Sequence, residues 1–166
     1  MDPRELLGMI AFFSEALNGD EIFALASGAE RRTFEVGQAL VQEGEPGESM
    51  FVIESGQVAV KVGGETVADL FAGDFLGEMS LLTGAPRNAT VTAVEPVAAY
   101  EIRKGVLAPV LAESPTLVDR LAETMEKRRI ELDRAYGGGA WGMARPGDAE
   151  IHGLIRKFYE SAASKA

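Results

Sequence analysis

A mainly β protein, an antiparallel β-roll flanked by helices, is the fold class that three features of the sequence predict. Short apolar runs, several of them alternating with polar residues, fill residues 31–103. Turn signals separate these runs: the 19 glycines far outnumber the 7 prolines and recur through residues 37–84. On either side the apolar residues change to helical spacing. At 166 residues, with 46% hydrophobic and 25% charged, the chain is one folded domain or one domain with helical attachments.

Residues 1–30 form the expected N-terminal helical segment. Leu6, Leu7, Ile10 and Phe13 predict a helix over residues 4–13, and Asp20 is the expected N-cap of a second over residues 21–26. The roll follows over residues 31–103. Residues 33–36 and 39–42 alternate, and Gly44-Glu45-Pro46-Gly47 is a strong turn. Residues 50–53 are continuously apolar, residues 58–62 alternate, and Gly63-Gly64 reverses the chain into residues 66–70. Residues 90–94 and 97–102 complete about eight strands.

Residues 104–136 are expected to be helical. Good helix formers fill residues 104–113, and Ser114-Pro115 pairs a capping serine with a proline suited to a first helical turn. A helix over residues 116–135 carries Leu117, Leu121, Met125, Leu132 and Tyr136 near one stripe, with Glu123 and Lys127 at the favourable i, i+4 order. Gly137-Gly138-Gly139 stops it. Residues 137–166 then read as a Gly-rich linker and a terminal amphipathic helix, with Ile151, Leu154, Ile155, Phe158 and Tyr159 on its apolar side.

Composition narrows the function classes. Without cysteine, disulfides and thiolate metal sites are out. A net charge of −10 weighs against a general attraction to nucleic acid, yet an anion can be held by one local arginine and backbone N–H groups. No run approaches transmembrane length, so the expectation is a cytoplasmic chain without a membrane segment. His152 is the one histidine and lies outside the β region, which argues against a metal-centred β-roll enzyme. No nucleophile elbow, phosphate loop of the Walker type or usefully spaced carboxylate pair occurs, so no enzyme is expected.

Residues 71–93, FAGDFLGEMSLLTGAPRNATVTA, have the order needed to wrap a small anion. Gly77 permits close backbone approach, and the turn from Glu78 presents free N–H groups. Arg87 supplies a charged fork suited to phosphate oxygens. Glu78 is out of place beside an anion unless it faces a hydroxyl of the same ligand, as in a phosphate joined to a ribose.

The stretch resembles the phosphate-binding cassette of cyclic-nucleotide-binding domains, F-G-E-[apolar]-[small]-L-L-x-G-x-P-R-x-A-T-V-x-A, matched almost continuously from Leu76 through Ala93. The run G-x-x-G-E-S-M-F-V-I-x-x-G at residues 44–56 fits the same family, and the resemblance covers about residues 8–135. It implies a jelly-roll-like double-stranded β-helix and a sensor for cAMP or cGMP. Arg87 would pair with the cyclic phosphate, with backbone N–H groups near Asn88 and Ala89 assisting. Glu78 would accept the ribose 2′-OH, while Gly77, Met79 and Ser80 hold the turn around the sugar. Leu76, Val60 and Val62 are candidates for apolar contact with the base; for the valines, plain core is the competing reading. Related domains that favour cGMP usually carry threonine where this chain has Asn88, so the base stays open, with cAMP favoured.

The same resemblance makes the 116–135 helix a lid closing over the base. Met125, Arg128, Arg129 and Leu132 are its candidate caps, and a basic one would stack by a cation–π contact. Closure would be passed to an effector, in first place a channel at the cytoplasmic side of a membrane. A free-standing sensor, a transcription-regulator-type sensor and an interaction module without ligand are the alternatives. Partnership as a homo-oligomer stays open.

Overall fold

The computed structural model describes residues 2–114 and 116–136 together with Ile155, Phe158 and Tyr159, and for residue 129 and residues 131–136 it describes the backbone alone. The expected linker at 137–147, His152, most of the terminal helix and Pro115 lie outside the described residues. Three N-terminal helices, α1 (Pro3–Met9), α2 (Ala11–Ala16) and α3 (Gly19–Gly28), precede the strands β1 (Glu30–Phe34), β2 (Ala39–Val41), β3 (Ser49–Ser55), β4 (Val58–Val62), β5 (Glu65–Leu70) and β6 (Phe75–Leu76). A short helix α4 (Glu78–Thr83) leads to β7 (Thr90–Ala93), β8 (Val97–Arg103), α5 (Lys104–Glu113) and α6 (Leu117–Tyr136).

The strands form two four-stranded antiparallel sheets, ordered β1-β8-β3-β6 and β2-β7-β4-β5. Phe51, Ile53, Val58, Val60, Leu76, Val91 and Ala99 fill the space between them. The other face of the first sheet offers Met50, Val52, Phe75, Tyr100 and Ile102 to the helices. β3 is therefore covered on both sides, which is why its Met50-Phe51-Val52-Ile53 is continuously apolar rather than alternating. β1 carries an exposed ERRTF edge, so burial left no alternation there to mark its start. Gly63 and Gly64, at φ 61° and 85°, make the tight β4–β5 reversal in backbone that a side chain would strain.

Two local expectations are corrected. The helix expected over residues 4–13 breaks at Ile10, which is extended at φ −95° and ψ 120°. The break lets adjacent Phe12 and Phe13 both turn inward, with ring centroids 4.8 and 5.9 Å from Phe75. The cap of α3 is Asn18, not Asp20. Asn18 Oδ1 accepts from Glu21 N at 2.9 Å while Glu21 Oε1 accepts from Asn18 N at 2.8 Å, a reciprocal capping box.

Candidate functional site

The stretch from β6 to β7 wraps one cleft. Gly77 caps α4 at φ 83°, and a Cβ there would stand 2.7 Å from Arg87 Nη1 and 3.0 Å from Ser49 O. Only glycine meets both the backbone angle and the close approach. Gly84, at φ 74°, ends the helix. Ser80 is 2% exposed, and its hydroxyl donates to Ala85 O at 2.8 Å, closing the turn that returns the chain to Arg87. The cleft holds about 490 Å³ of atom-free space, open solvent at its mouth included.

Arg87 is built into the wall. Its N donates to Glu45 O and its carbonyl accepts from Gly44 N, both at 2.8 Å, so the β2–β3 turn fixes the backbone. Arg87 is 9% exposed, and its guanidinium donates to Ser49 O at 2.6 Å and Ser49 Oγ at 3.0 Å. A Cβ on Gly47 would run into that guanidinium, so two glycines, 47 and 77, bracket it. Behind it Ser49 Oγ donates to Glu101 Oε2 at 2.7 Å, and Glu101 Oε1 accepts from Arg32 Nη1 at 2.7 Å. Burial lowers the Arg87 pKa, while the charges of Glu101 and Glu78 act to raise it.

A second arginine enters from α6. Arg128 Nη2 donates to Phe75 O at 2.9 Å, its Nε lies 3.4 Å from Glu78 Oε1, and its guanidinium carbon sits 3.6 Å from the Phe75 ring centroid. The Arg128 and Glu78 side chains are 17% and 14% exposed, so this pair is more shielded than a surface ion pair. α6 is held alongside by Lys127 with Glu15 and by Arg120 with Glu21 and Ala16 O.

Leu76, Gly77, Glu78, Met79, Ser80, Arg87, Asn88, Ala89 and Arg128 all line the cleft. Val60 and Val62 do not: Val60 is fully buried between the sheets and Val62 packs against that core. Val41 and Val91, from neighbouring strands of the same sheet, provide the apolar wall instead. Met125 is 6% exposed within the helical core and is not part of the lining. The side chains of Arg129 and Leu132 lie outside the description.

Sequence reasoning missed Ser49, Glu101 and the Arg128–Phe75 contact, because each depends on pairing between distant segments. It also missed what the terminal apolar stripe meets. Tyr159 Oη donates to Leu81 O at 2.6 Å, Ile155 is fully buried, and the Phe158 ring lies where a Cβ on Gly84 would fall. Lys104 Nζ caps Phe158 at 3.4 Å from its ring centroid. The back of α4 is therefore covered by Tyr159 and Phe158.

The family model for the cyclic nucleotide-binding domain matches residues 31–114, and the chain belongs to this family. It is 30% identical over 131 residues to a cGMP-dependent protein kinase of Eimeria tenella, covering 78% of this chain and 13% of that one. It is 34% identical over 107 residues to a cAMP-dependent protein kinase regulatory subunit of Hypocrea atroviridis, covering 64% of this chain and 23% of the relative. A solved cyclic nucleotide-binding domain from Methylobacillus flagellatus superposes with a TM-score of 0.66 at 27% identity, covering 81% of this chain and 80% of the other. The chain thus spans a small part of these curated relatives, and the family describes a ligand-binding, non-catalytic domain. Among the described residues no His, Asp and Glu group could hold a metal, and no helix is long and apolar enough to cross a membrane.

Proposed function

We propose that the cleft is a sensor site for a 3′,5′-cyclic nucleotide, cAMP in preference to cGMP. The observation that carries this reading is the placement of a buried arginine and a carboxylate in one cleft. Arg87 and Glu78 both line it, and Gly77 brings the backbone against the guanidinium. Arg87 pairs with the cyclic phosphate, assisted by backbone N–H groups of Asn88 and Ala89. Glu78 accepts from the ribose 2′-OH, leaving its 3.4 Å contact with Arg128 as it does so. Met79 and Ser80 keep the turn in shape, and Leu76, Val41 and Val91 offer the base an apolar surface.

The lid is α6, and Arg128 is its ligand-facing side chain. Released from Glu78, the guanidinium is available to stack on the base as it now stacks on Phe75. Ligand shifts the α6 equilibrium by its difference in affinity between the two positions and by no more. The receiver is a further domain or subunit. The relatives support that reading, since the matched region fills only 13% and 23% of their lengths. A channel is one such receiver, with the sensor then at the cytoplasmic side of the membrane. The test is calorimetric titration of the purified chain with cAMP and cGMP. Saturable cAMP binding, tighter than cGMP, is the expected result; no heat and no melting shift at millimolar nucleotide would sink the sensor reading.

A further inference from the structure

Glu101 has no place in the cleft itself, yet it is 8% exposed and its two carboxylate oxygens are directed in opposite senses. Oε2 accepts the Ser49 hydroxyl at 2.7 Å, and that hydroxyl oxygen in turn accepts from Arg87 Nη2 at 3.0 Å. Oε1 faces outward, taking Arg32 Nη1 at 2.7 Å and Arg103 Nη2 at 3.3 Å. A serine hydroxyl has one proton to give. Because Glu101 takes it, the lone pairs of Ser49 Oγ are presented to the guanidinium, and the relay has a fixed polarity. β3 and β8 pair with Ser49 opposite Arg103 and Phe51 opposite Glu101, so the sheet register sets this geometry.

We propose that Glu101, acting through Ser49, is an internal counter-anion for Arg87 that stabilises the empty cleft and limits its affinity for a phosphate. Taken with the reading of the cleft as a cyclic-nucleotide site, on which it rests, this makes Ser49 and Glu101 positioning residues. A buried guanidinium needs a compensating negative charge. In the empty protein Glu101 and Glu78 supply it; in the occupied one the cyclic phosphate would share that role. The incoming anion therefore meets a cation already partly neutralised from behind. Removal of the Glu101 charge leaves Glu78 as the remaining counter-charge for Arg87 and takes the carboxylate from Arg32, while Arg103 keeps Glu30 at 3.6 Å; the attraction for an anion rises and the ligand-free fold is weakened. Glutamine at 101 keeps one oxygen to accept the Ser49 proton, so the link toward Arg87 stays while the charge and the two outward bonds from Arg32 and Arg103 go. Alanine at 49 does the reverse: the charge stays and the link to Arg87 is cut.

Titration of cAMP into wild type, Glu101→Gln and Ser49→Ala, with thermal melts of each, separates charge from geometry. Glu101→Gln is expected to melt lower without ligand yet bind cAMP about threefold to tenfold tighter. Ser49→Ala is expected to bind about threefold to thirtyfold weaker, because Glu101 keeps its charge while the Arg87 guanidinium loses the hydroxyl that orients it. Opposite signs of change in affinity are the signature, since plain structural damage lowers both. A folded Glu101→Gln with unchanged or weaker affinity overturns the counter-anion role. Should that variant not fold, wild-type affinity in Ser49→Ala overturns the relay by itself. Wild-type protein that fails to bind cAMP removes the cyclic-nucleotide reading and this inference together, an outcome distinct from either variant result.

Discussion

Among the described residues two arginines line the cleft, one from the roll and one from α6, and they are held in different ways. Arg87 is anchored at its backbone by Glu45 and Gly44, bracketed by Gly47 and Gly77, and bonded through Ser49 to Glu101. Its surroundings are strands and tight turns. Arg128 reaches across from α6 to one carbonyl, one carboxylate at 3.4 Å and one ring face. Each of those contacts can be exchanged for a similar one with a ligand. The contrast teaches that fixed charge belongs to the roll and exchangeable charge to α6. A sensor needs both, since recognition requires a preorganised group and response requires one with somewhere else to go.

Arg87→Ala is the substitution expected to cost most. Loss of a charge-assisted, shielded contact worth about 1.5–3 kcal/mol weakens cAMP binding about tenfold to a hundredfold in calorimetry. Retained affinity would show that the roll arginine is not the phosphate anchor. Glu78→Ala is expected to weaken cAMP by about fivefold to tenfold and to erase discrimination against 2′-deoxy-cAMP. If the variant still prefers the ribonucleotide, Glu78 does not read the 2′-OH. Arg128→Ala is expected to weaken cAMP by about twofold to fivefold, in keeping with a partly exposed stacking contact. A loss as large as that of Arg87→Ala would abolish the distinction between fixed and exchangeable charge.

The smallest effect on ligand binding is expected at Tyr159, behind the cleft. Tyr159→Phe removes the bond to Leu81 O and costs about 1 kcal/mol in denaturant unfolding. Burial first, and then the nearby charge of Glu48, raise the Tyr159 pKa well above the ordinary 10.0. The folded chain keeps the phenol proton that the unfolded chain loses, so this stability is complete below pH 10.0 and declines as pH rises beyond it. The variant should therefore show a shallower alkaline decline, the remainder coming from Tyr100, whose pKa is also raised by burial and by its bond to Glu54. An unchanged alkaline limb would mean that Tyr159 is not buried against α4 in solution.

Much of the roll could be read from local pattern, because turns and alternation are local consequences of where a strand reverses and which face it buries. Gly63-Gly64 and the continuous apolar run of β3 are examples. The cleft was legible for a related reason: Gly77, Glu78 and Arg87 lie within one short segment. Val60 and Val62 belong to the core and not to the cleft lining, a difference alternation cannot show, because it tells which side of a strand is inside, not whether that inside is core or cleft. Val41 and Val91 reach the cleft through sheet order, which joins β2 to β7 and β7 to β4. Glu101 was invisible for the same cause, since nothing in VAAYEIR says that its carboxylate will face Ser49 from a strand some fifty residues earlier in the chain. The break at Ile10 followed from Phe75, a partner far along the sequence.

The docking of Tyr159 on α4 changes where the edge of this module should be drawn. A boundary taken from the family match would close at residue 114, and one taken from the lid at Tyr136. Either cut removes Ile155, which is buried in the helical core, together with Tyr159 and Phe158, which cover Leu81 and the Gly84 turn from behind. Cut at Tyr136, the module would keep the described residues that line the cleft, Arg128 included, and lose the packing that supports α4; cut at residue 114, it would lose Arg128 as well. For this chain the smallest unit with an intact cassette is larger than the unit by which its family is recognised.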